Sequence, residues 1–239
     1  MADKTALKLG GASGESQLHE RVIVDRLTSA VMEQRLSPGT KLSEAALCET
    51  FCVGRMHVRR ALLMLANQGI VDLQSNRGAF IARPGVQEAR DIFATRLILE
   101  PTIIKSVIEN AESAELRALR DHIDLEQKAR KRRNRREAIR LSGEFHVRLA
   151  EAAGNAVMSN IVRDLVTRSS LIIALFGTTD ASACQDDEHL QILDAVSVGD
   201  GRKAARLVRV HLEHIEADLD LRAGRDTDKP NLSDILSAP

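Results

Sequence analysis

Apolar residues recur at helical spacing through most of this chain, and one short stretch instead has the pattern of paired strands. Apolar positions every three or four residues predict a first amphipathic helix over residues 18–35. Two shorter helical patterns follow, over residues 43–51, where Ser43 is a candidate N-cap, and over residues 55–67. The turn between them contains Gly54, and two short helices joined in this way predict a helix-turn-helix.

Two β-prone runs follow this pair of helices and predict a wing. Residues 70–73 and 79–82 flank a turn signal at residues 75–78, so we expect an antiparallel hairpin. Arg55 and Arg59 lie one helical turn apart beside the apolar stripe, where a groove-entering helix contacts bases or phosphates. The expected DNA contacts are Arg55, Met56, His57, Arg59 and Arg60 on the helix, and Arg77 and Gly78 at the hairpin tip. The alternative is that these arginines only solvate a surface helix.

Beyond residue 84 the strong periodicity is helical throughout. A first long helix contains Pro101, which is expected to kink it. Further helices are predicted over residues 114–132, 137–153, 156–176, 185–198 and 201–222. The chain is therefore expected to be mostly α, with a winged helix-turn-helix at residues 17–83 and an all-α bundle of about six helices at residues 84–222. The polar ends, 1–16 and 223–239, are expected to be flexible tails.

Composition narrows the class of nucleic-acid partner. The net charge is zero, but residues 1–83 carry 11 Lys and Arg against 8 Asp and Glu, so the basic excess lies in the expected DNA-binding domain. With no Trp or Tyr, the chain lacks the aromatic platforms on which single strands stack, which favours double-stranded DNA. No apolar run reaches the roughly 18 residues of a membrane helix, and the N-terminus lacks a signal-peptide core. We therefore expect a cytoplasmic protein with no membrane partner.

Short motifs in a fixed order run through the predicted helix-turn-helix and wing: Pro38-Gly39, Leu42-Ser43-Glu44, Leu47, Val53-Gly54-Arg55, Val58 to Leu62, Leu65, Gly69 and Arg77-Gly78. Together they resemble the winged helix-turn-helix of the GntR family of bacterial transcription regulators. This chain departs from that family at Gly54, where a serine or threonine usually caps the recognition helix. It also departs at Arg60, where an acidic residue is common, so we expect one more cation beside the groove. The resemblance implies a homodimer on a double-stranded operator, most often a repressor.

A second set of motifs lies in the helical half: Glu144-Phe145-His146, Leu149-Ala150, Ala153-Gly154-Asn155, Glu188-His189, Ile192 and Ala204 to Leu212. They resemble the FadR-type effector domain, called FCD, in which an Asp, a His one turn later and a His from each of two later helices bind a divalent metal. Here His146, His189 and His211 take the histidine places, while Ser142 takes the Asp place. Three imidazoles and water remain a zinc-type set. Any one of these histidines, taken alone, is more commonly a surface or hydrogen-bonded core residue.

The same resemblance implies a small organic acid as effector. Arg96 stands where the family often has an arginine that pairs with such an acid, and Ser142 is a second candidate effector residue. The alternative for Arg96 is a structural ion pair with Glu100, four residues later. The sequence therefore predicts a ligand-responsive regulator, with a metal-dependent enzyme built on the three histidines as the alternative.

Overall fold

The computed structural model describes residues 11–178 and 187–221, and their N-terminal part contains the predicted helix-turn-helix. Helix α1 (Gly11–Met32) buries Ile23 and Leu27, which lie one turn apart. Helix α2 (Glu44–Phe51) begins after Ser43, whose hydroxyl accepts a hydrogen bond from the Ala46 amide, as a cap does. Helix α3 (Arg55–Asn67) buries one stripe against the other two helices: Val58, Ala61, Leu62 and Leu65.

The wing contains a strand that the sequence analysis missed. Strands β2 (Val71–Gln74) and β3 (Gly78–Ile81) form the expected antiparallel hairpin. A third strand, β1 (Lys41–Leu42), pairs with β3 on its other side, giving the order β1-β3-β2. Two residues are too few to show an alternating pattern, so this pairing is set by the fold and not by local sequence.

Six helices of the described residues form the C-terminal bundle. Their bounds are α4 (Val86–Asn110), α5 (Ser113–Lys131), α6 (Arg135–Ala152), α7 (Ala156–Phe176), α8 (Glu188–Ser197) and α9 (Gly201–Ala217). Pro101 lies inside α4, as predicted. The main core of the bundle is apolar and includes Phe145, Val162 and Leu193, each fully buried. No helix in the described part of the chain is long and apolar enough to cross a membrane.

The structure differs from the predicted element bounds at two places. Helix α1 begins at Gly11, so residues 11–16, expected to belong to a tail, are helical, while 1–10 lie outside the described residues. Helix α9 ends at Ala217 and not at residue 222, because Leu219 forms a β-bridge with Gly177 and is buried beside the end of α7. Most of the expected C-terminal tail, like residues 185 and 186 of the expected fifth helix, lies outside the description.

The DNA-binding domain and the bundle are joined through residues 82–85 and also pack against each other. Leu171 of α7 is buried in the core cluster of the DNA-binding domain. Arg168 of α7 forms an ion pair with Glu88 at the start of α4, and its guanidinium lies against Gly69. Helix α7 therefore belongs to the bundle but contacts the domain that carries the recognition helix.

Candidate metal centre and nucleic-acid interface

The first turn of α3 presents a polar, exposed surface. Arg55, Met56 and Arg59 are exposed, and the Met56 side chain is 64% accessible. Gly54 is the N-cap and makes no side-chain cap bond, as its departure from the family pattern predicts. The helix start is therefore fixed by backbone hydrogen bonds such as the one from the His57 amide to the Gly54 carbonyl, at 3.1 Å.

Arg59 is held by an acid of the neighbouring helix. Its Nε donates to Glu44 Oε2 at 2.9 Å and to Oε1 at 3.0 Å. The two terminal nitrogens of its guanidinium have no partner among the described residues. Glu44 thus orients the side chain by its inner nitrogen and leaves the fork that can bind guanine or phosphate facing solvent.

Arg60 and His57 are directed at helix α1. Arg60 Nη1 lies 3.2 Å from Glu20 Oε1, and His57 Nδ1 lies 3.5 Å from the same oxygen. Glu20 is buried and requires a compensating charge. The Arg60 charge therefore balances a carboxylate within the domain while its side chain stays 54% exposed, and a contribution of Arg60 beside the groove stays a prediction.

The tip of the wing lies at the turn between β2 and β3. Arg77 and Gly78 are both exposed, and the guanidinium of Arg77 lies 5.7 Å from the centre of the Phe80 ring. Gly78 has φ +95°, and a Cβ there would meet no atom within 4 Å. Its backbone is thus open to close approach by a phosphate or a groove wall.

Three histidines from three helices meet inside the bundle. His146 on α6, His189 on α8 and His211 on α9 are all buried. His146 Nε2 lies 3.0 Å from His211 Nε2, and His189 Nε2 lies 3.1 Å from the same atom. Tetrahedral nitrogen ligands about 2.05 Å from zinc lie roughly 3.3 Å apart, so both distances are near those that a bound metal requires, and all three ligand atoms lie within 4.8 Å of one another.

A ring of carboxylates surrounds these histidines, and the sequence analysis missed it. His146 Nδ1 donates to Glu100 Oε2 at 2.6 Å, His189 Nδ1 to Glu126 Oε2 at 2.8 Å, and His211 Nδ1 to Glu188 Oε2 at 2.7 Å. Carboxylates that accept from the outer nitrogen fix a metal-binding tautomer and raise ligand basicity. A signal for two of them was present, because Glu100 and Glu126 recur at helical spacing with buried residues of α4 and α5.

The charges of the three histidines and their carboxylate partners also favour a bound cation. Burial lowers the pKa of His146 to about 4, although the Glu100 carboxylate opposes that shift, so the His146 imidazole is neutral at pH 7. Burial raises the pKa of Glu126, but His189 and Arg130 more than offset this and hold it below its usual range. In a neutral imidazole whose Nδ1 donates, Nε2 carries a lone pair, and because the Nε2 atoms of His146 and His211 lie 3.0 Å apart, two such lone pairs would repel each other. The donor set therefore fits a divalent metal, which relieves that repulsion.

A fourth metal ligand could come from three other side chains of α6 and α9: Ser142, Glu144 and His214. Ser142 lies one turn before His146 on α6 and is half-buried. Glu144 pairs with Arg140 at 2.6 Å, and His214 donates to Glu188 Oε1 at 2.6 Å. Neither of these two side chains replaces the missing carboxylate ligand, and the group of possible metal ligands found among the described residues consists of the three histidines.

Arg96 lies beside this centre and is joined to it through Glu100. Its Nε donates to Glu100 Oε1 at 2.6 Å, and both side chains are buried, so the structural ion pair weighed for Arg96 is present. Its Nη1 donates to Ser169 Oγ of α7 at 3.1 Å. Its Nη2 is buried and has no partner within the described residues. The ion pair thus uses only part of the guanidinium and leaves one buried donor for an acceptor.

A winged helix-turn-helix joined to a helical bundle with a buried polar centre defines a class of protein, the two-domain DNA-binding transcription regulator. Residues 19–81 match the family described as bacterial regulatory proteins, gntR family, and residues 91–214 match the FCD domain. The chain belongs to the GntR family of regulators with an FCD domain.

Several relatives are named as regulators. The HTH-type transcriptional regulator LutR of Bacillus subtilis is 28% identical over 201 residues, covering 76% of this chain and 92% of LutR. The HTH-type transcriptional repressor NanR of Cronobacter sakazakii is 26% identical, covering 82% of this chain and 83% of NanR. The Nta operon transcriptional regulator of Aminobacter aminovorans is 25% identical, and the alignment covers 80% of this chain and 90% of that regulator.

Two solved structures share the fold. Escherichia coli McbR/YncC superposes with a TM-score of 0.72 at 15% identity, and a GntR regulator from Rhodococcus sp. RHA1 with 0.70 at 22%. Each alignment covers 83% of this chain and 95% of the other chain. Because the two family models and the named relatives are those of transcription regulators, the chain is a regulator and not an enzyme, and the alternative of a metal-dependent enzyme is wrong.

Proposed function

We propose that this protein is a repressor that binds a double-stranded operator as a homodimer and responds to a small organic acid. The observation that carries the proposal is the buried network in which Glu100 joins Arg96 to the His146 ring, while Arg96 Nη2 has no partner in residues 11–178 and 187–221. The name of the relative NanR, a transcriptional repressor, supports the sign of regulation. A single winged helix buries too little surface for tight specific binding, which supports a dimer on a near-palindromic site.

Operator reading is assigned to Arg55 and Arg59 on α3, with Arg77 and Gly78 on the wing contacting the backbone or minor groove. Met56 and His57, which lie between the two arginines in the sequence, are further candidate contacts. Arg59→Ala is expected to weaken operator binding by about 5- to 150-fold, the value of one bidentate base contact of about 1 to 3 kcal/mol. Fluorescence anisotropy with the operator from the protein's own promoter, at physiological salt, measures this change.

Arg60→Ala is the matched control, because it removes an arginine of the same helix that is paired with Glu20. This variant is expected to bind the operator within about threefold of the wild type, the loss of at most one phosphate contact. Equal affinities of the Arg59→Ala variant and the wild type would refute the assignment of Arg59.

A divalent metal, zinc or similar, would be held by His146, His189 and His211, with Glu100, Glu126 and Glu188 fixing the rings. When bound, such an ion supplies a Lewis-acidic position that attracts a carboxylate. His189→Ala is expected to lower bound zinc from one equivalent to below about a tenth, since two imidazoles rarely hold zinc alone. Metal analysis by mass spectrometry after dialysis against zinc tests this, and a full equivalent in the variant would exclude the three-histidine site.

The effector site is assigned to Arg96, which is joined to His146 through Glu100, and to Ser142, one turn before His146 on α6. The Arg96 Nη2 donor supports a carboxylate as ligand, because guanidinium and carboxylate form strong charge-assisted hydrogen bonds. Calorimetric titration with acetate, lactate, succinate and citrate should detect one acid that binds and that weakens operator binding. Arg96→Lys keeps a cation beside Glu100 but loses the planar fork, so acid affinity is expected to fall at least tenfold. Unchanged affinity would place the acid elsewhere.

A further inference from the structure

Two faces of helix α7 contact two different functional sites. Ser169 Oγ accepts from Arg96 Nη1 at 3.1 Å and donates to the Leu165 carbonyl of its own helix at 2.8 Å. Arg168 and Leu171, three residues apart on another face, contact the DNA-binding domain. One rigid element thus touches the candidate effector arginine on one side and the domain that carries the recognition helix on the other.

The contact made by Arg168 lies directly behind the recognition helix. Gly69 follows the C-cap of α3 with φ +69°, and a Cβ there would lie 3.1 Å from Arg168 Nε and 3.3 Å from its Cδ and Cζ. The guanidinium also forms an ion pair with Glu88 of α4. A shift of α7 therefore changes the contact at the end of α3 directly, because the Arg168 side chain itself lies against Gly69.

An open cleft of about 530 Å³ borders this contact. It lies between the two domains and is lined by Thr28 of α1, Gln68 at the end of α3, Glu151 of α6 and Asp164 of α7, among others. Gln68 adjoins Gly69 in sequence, and Asp164 lies one turn before Arg168. The packing of the two domains is thus incomplete beside the Arg168 contact, which leaves room for the DNA-binding domain to move about it.

We propose that Ser169 and Arg168 are the coupling residues of this regulator. They transmit the state of the Arg96 guanidinium through α7 to Gly69 and so to the orientation of α3. This inference rests on the proposed function for the identity of the signal, because a carboxylate that binds Arg96 through both Nη2 and Nη1 competes with the hydrogen bond from Nη1 to Ser169. The path itself consists of contacts present in the structure: Arg96 to Ser169, one helical turn of α7, and Arg168 to Gly69.

The first test needs no effector. Ser169→Ala removes the acceptor for Arg96 Nη1, and among the described residues Ser169 has no hydrogen bond with the DNA-binding domain. In the acid-free protein, hydrogen exchange of the peptide spanning residues 66–73 is expected to change at least about twofold, the lower end of coupling between residues in one network. In an Arg168→Ala background the same substitution is expected to leave that exchange unchanged. Unaltered exchange in the Ser169→Ala variant, or an equal change in both backgrounds, overturns the proposal.

Ser170→Ala is the matched control for a general disturbance of the helix. Ser170 is also buried on α7 and also donates to the carbonyl four residues earlier, but that carbonyl belongs to Val166 and Ser170 is not bonded to Arg96 in the described part of the chain. Its loss is expected to leave the exchange of residues 66–73 as in the wild type. A change as large as that of Ser169→Ala would show helix distortion in place of a specific path, and would overturn the proposal.

The second test uses the operator and the four carboxylates named above. Arg168→Ala is expected to bind the active acid and the acid-free operator within about threefold of the wild type, while the acid's effect on operator affinity falls below about twofold. A wild-type response in this variant contradicts the coupling role. If the wild type binds none of the acids, the proposed effector class fails, and the exchange measurements still decide the path.

Discussion

Replacing Arg96 by methionine tests the buried network most directly. The Arg96 and Glu100 side chains are 3% and 4% exposed, and their charged atoms lie 2.6 Å apart. Methionine retains an unbranched apolar stem, so the substitution removes the cation with little loss of packing. Of its hydrogen bonds within the described part of the chain, the Glu100 carboxylate then keeps the one from His146 Nδ1. The variant thus leaves one buried negative charge without its main partner.

The expected loss of stability follows from that uncompensated charge. Removing one member of a buried ion pair lowers the free energy of unfolding by about 3 to 5 kcal/mol. We expect a loss of about 3 kcal/mol here, because His146 can take up a proton and compensate part of the Glu100 charge. For a chain of this size that corresponds to a decrease in Tm of roughly 6 to 12 °C. Burial raises the pKa of Glu100, but Arg96 and His146 more than offset this and hold it well below its usual value of 4.5. Wild-type stabilisation by this group is therefore present above pH 4.5, and the deficit of the variant shrinks below it.

Urea denaturation of metal-free protein at pH 7, followed by circular dichroism, measures the free energy of unfolding. The control is the double variant Arg96→Met with Glu100→Gln, which leaves no buried charge and is expected to recover to within about 1.5 kcal/mol of the wild type. A single variant that loses less than about 1 kcal/mol would refute the reasoning, because it would show that Glu100 is solvated or protonated. A double variant no more stable than the single would show that the loss arises from packing.

Three further predictions concern the metal centre. Glu126→Gln removes the charge that holds the His189 ring, so zinc affinity should fall about 10- to 100-fold when measured by chelator competition. An unchanged affinity would show that this carboxylate does not contribute to metal binding. Ser142→Asp places a carboxylate one turn before His146 and should raise zinc affinity at least tenfold, about 1.4 kcal/mol; a decrease would show that residue 142 does not face the ion. In metal-free protein, stability should fall by about 3 kcal/mol as the pH falls from 6.5 to 4, because the unfolded chain takes up the His146 proton first. A His146→Gln variant should lack most of this slope, and an equal slope in both proteins would assign it to other groups.

The helix-turn-helix could be predicted from the sequence because its determinants are local. Ser43 caps α2, the stripe of α3 recurs at helical spacing, and a glycine follows α3, so each boundary is set by residues within one or two turns. The wing hairpin follows from a turn signal between two β-prone runs. The pairing of Lys41 with Phe80 was not predictable, since a two-residue strand has no pattern of its own.

The polar centre of the bundle was decided by the tertiary structure. The sequence gives the types of His146, His189 and His211, and their apolar neighbours indicate inward projection, but not the acids beside them. Glu100 lies 46 residues from His146, and Glu126 lies 63 residues from His189. No local rule of spacing joins residues so far apart; only the packing of α4 against α6 and of α5 against α8 brings them together. Burial makes these carboxylates partners of the histidines, because a charge removed from water must be paired. In the packed helices Glu100 pairs with His146 and Glu126 pairs with His189.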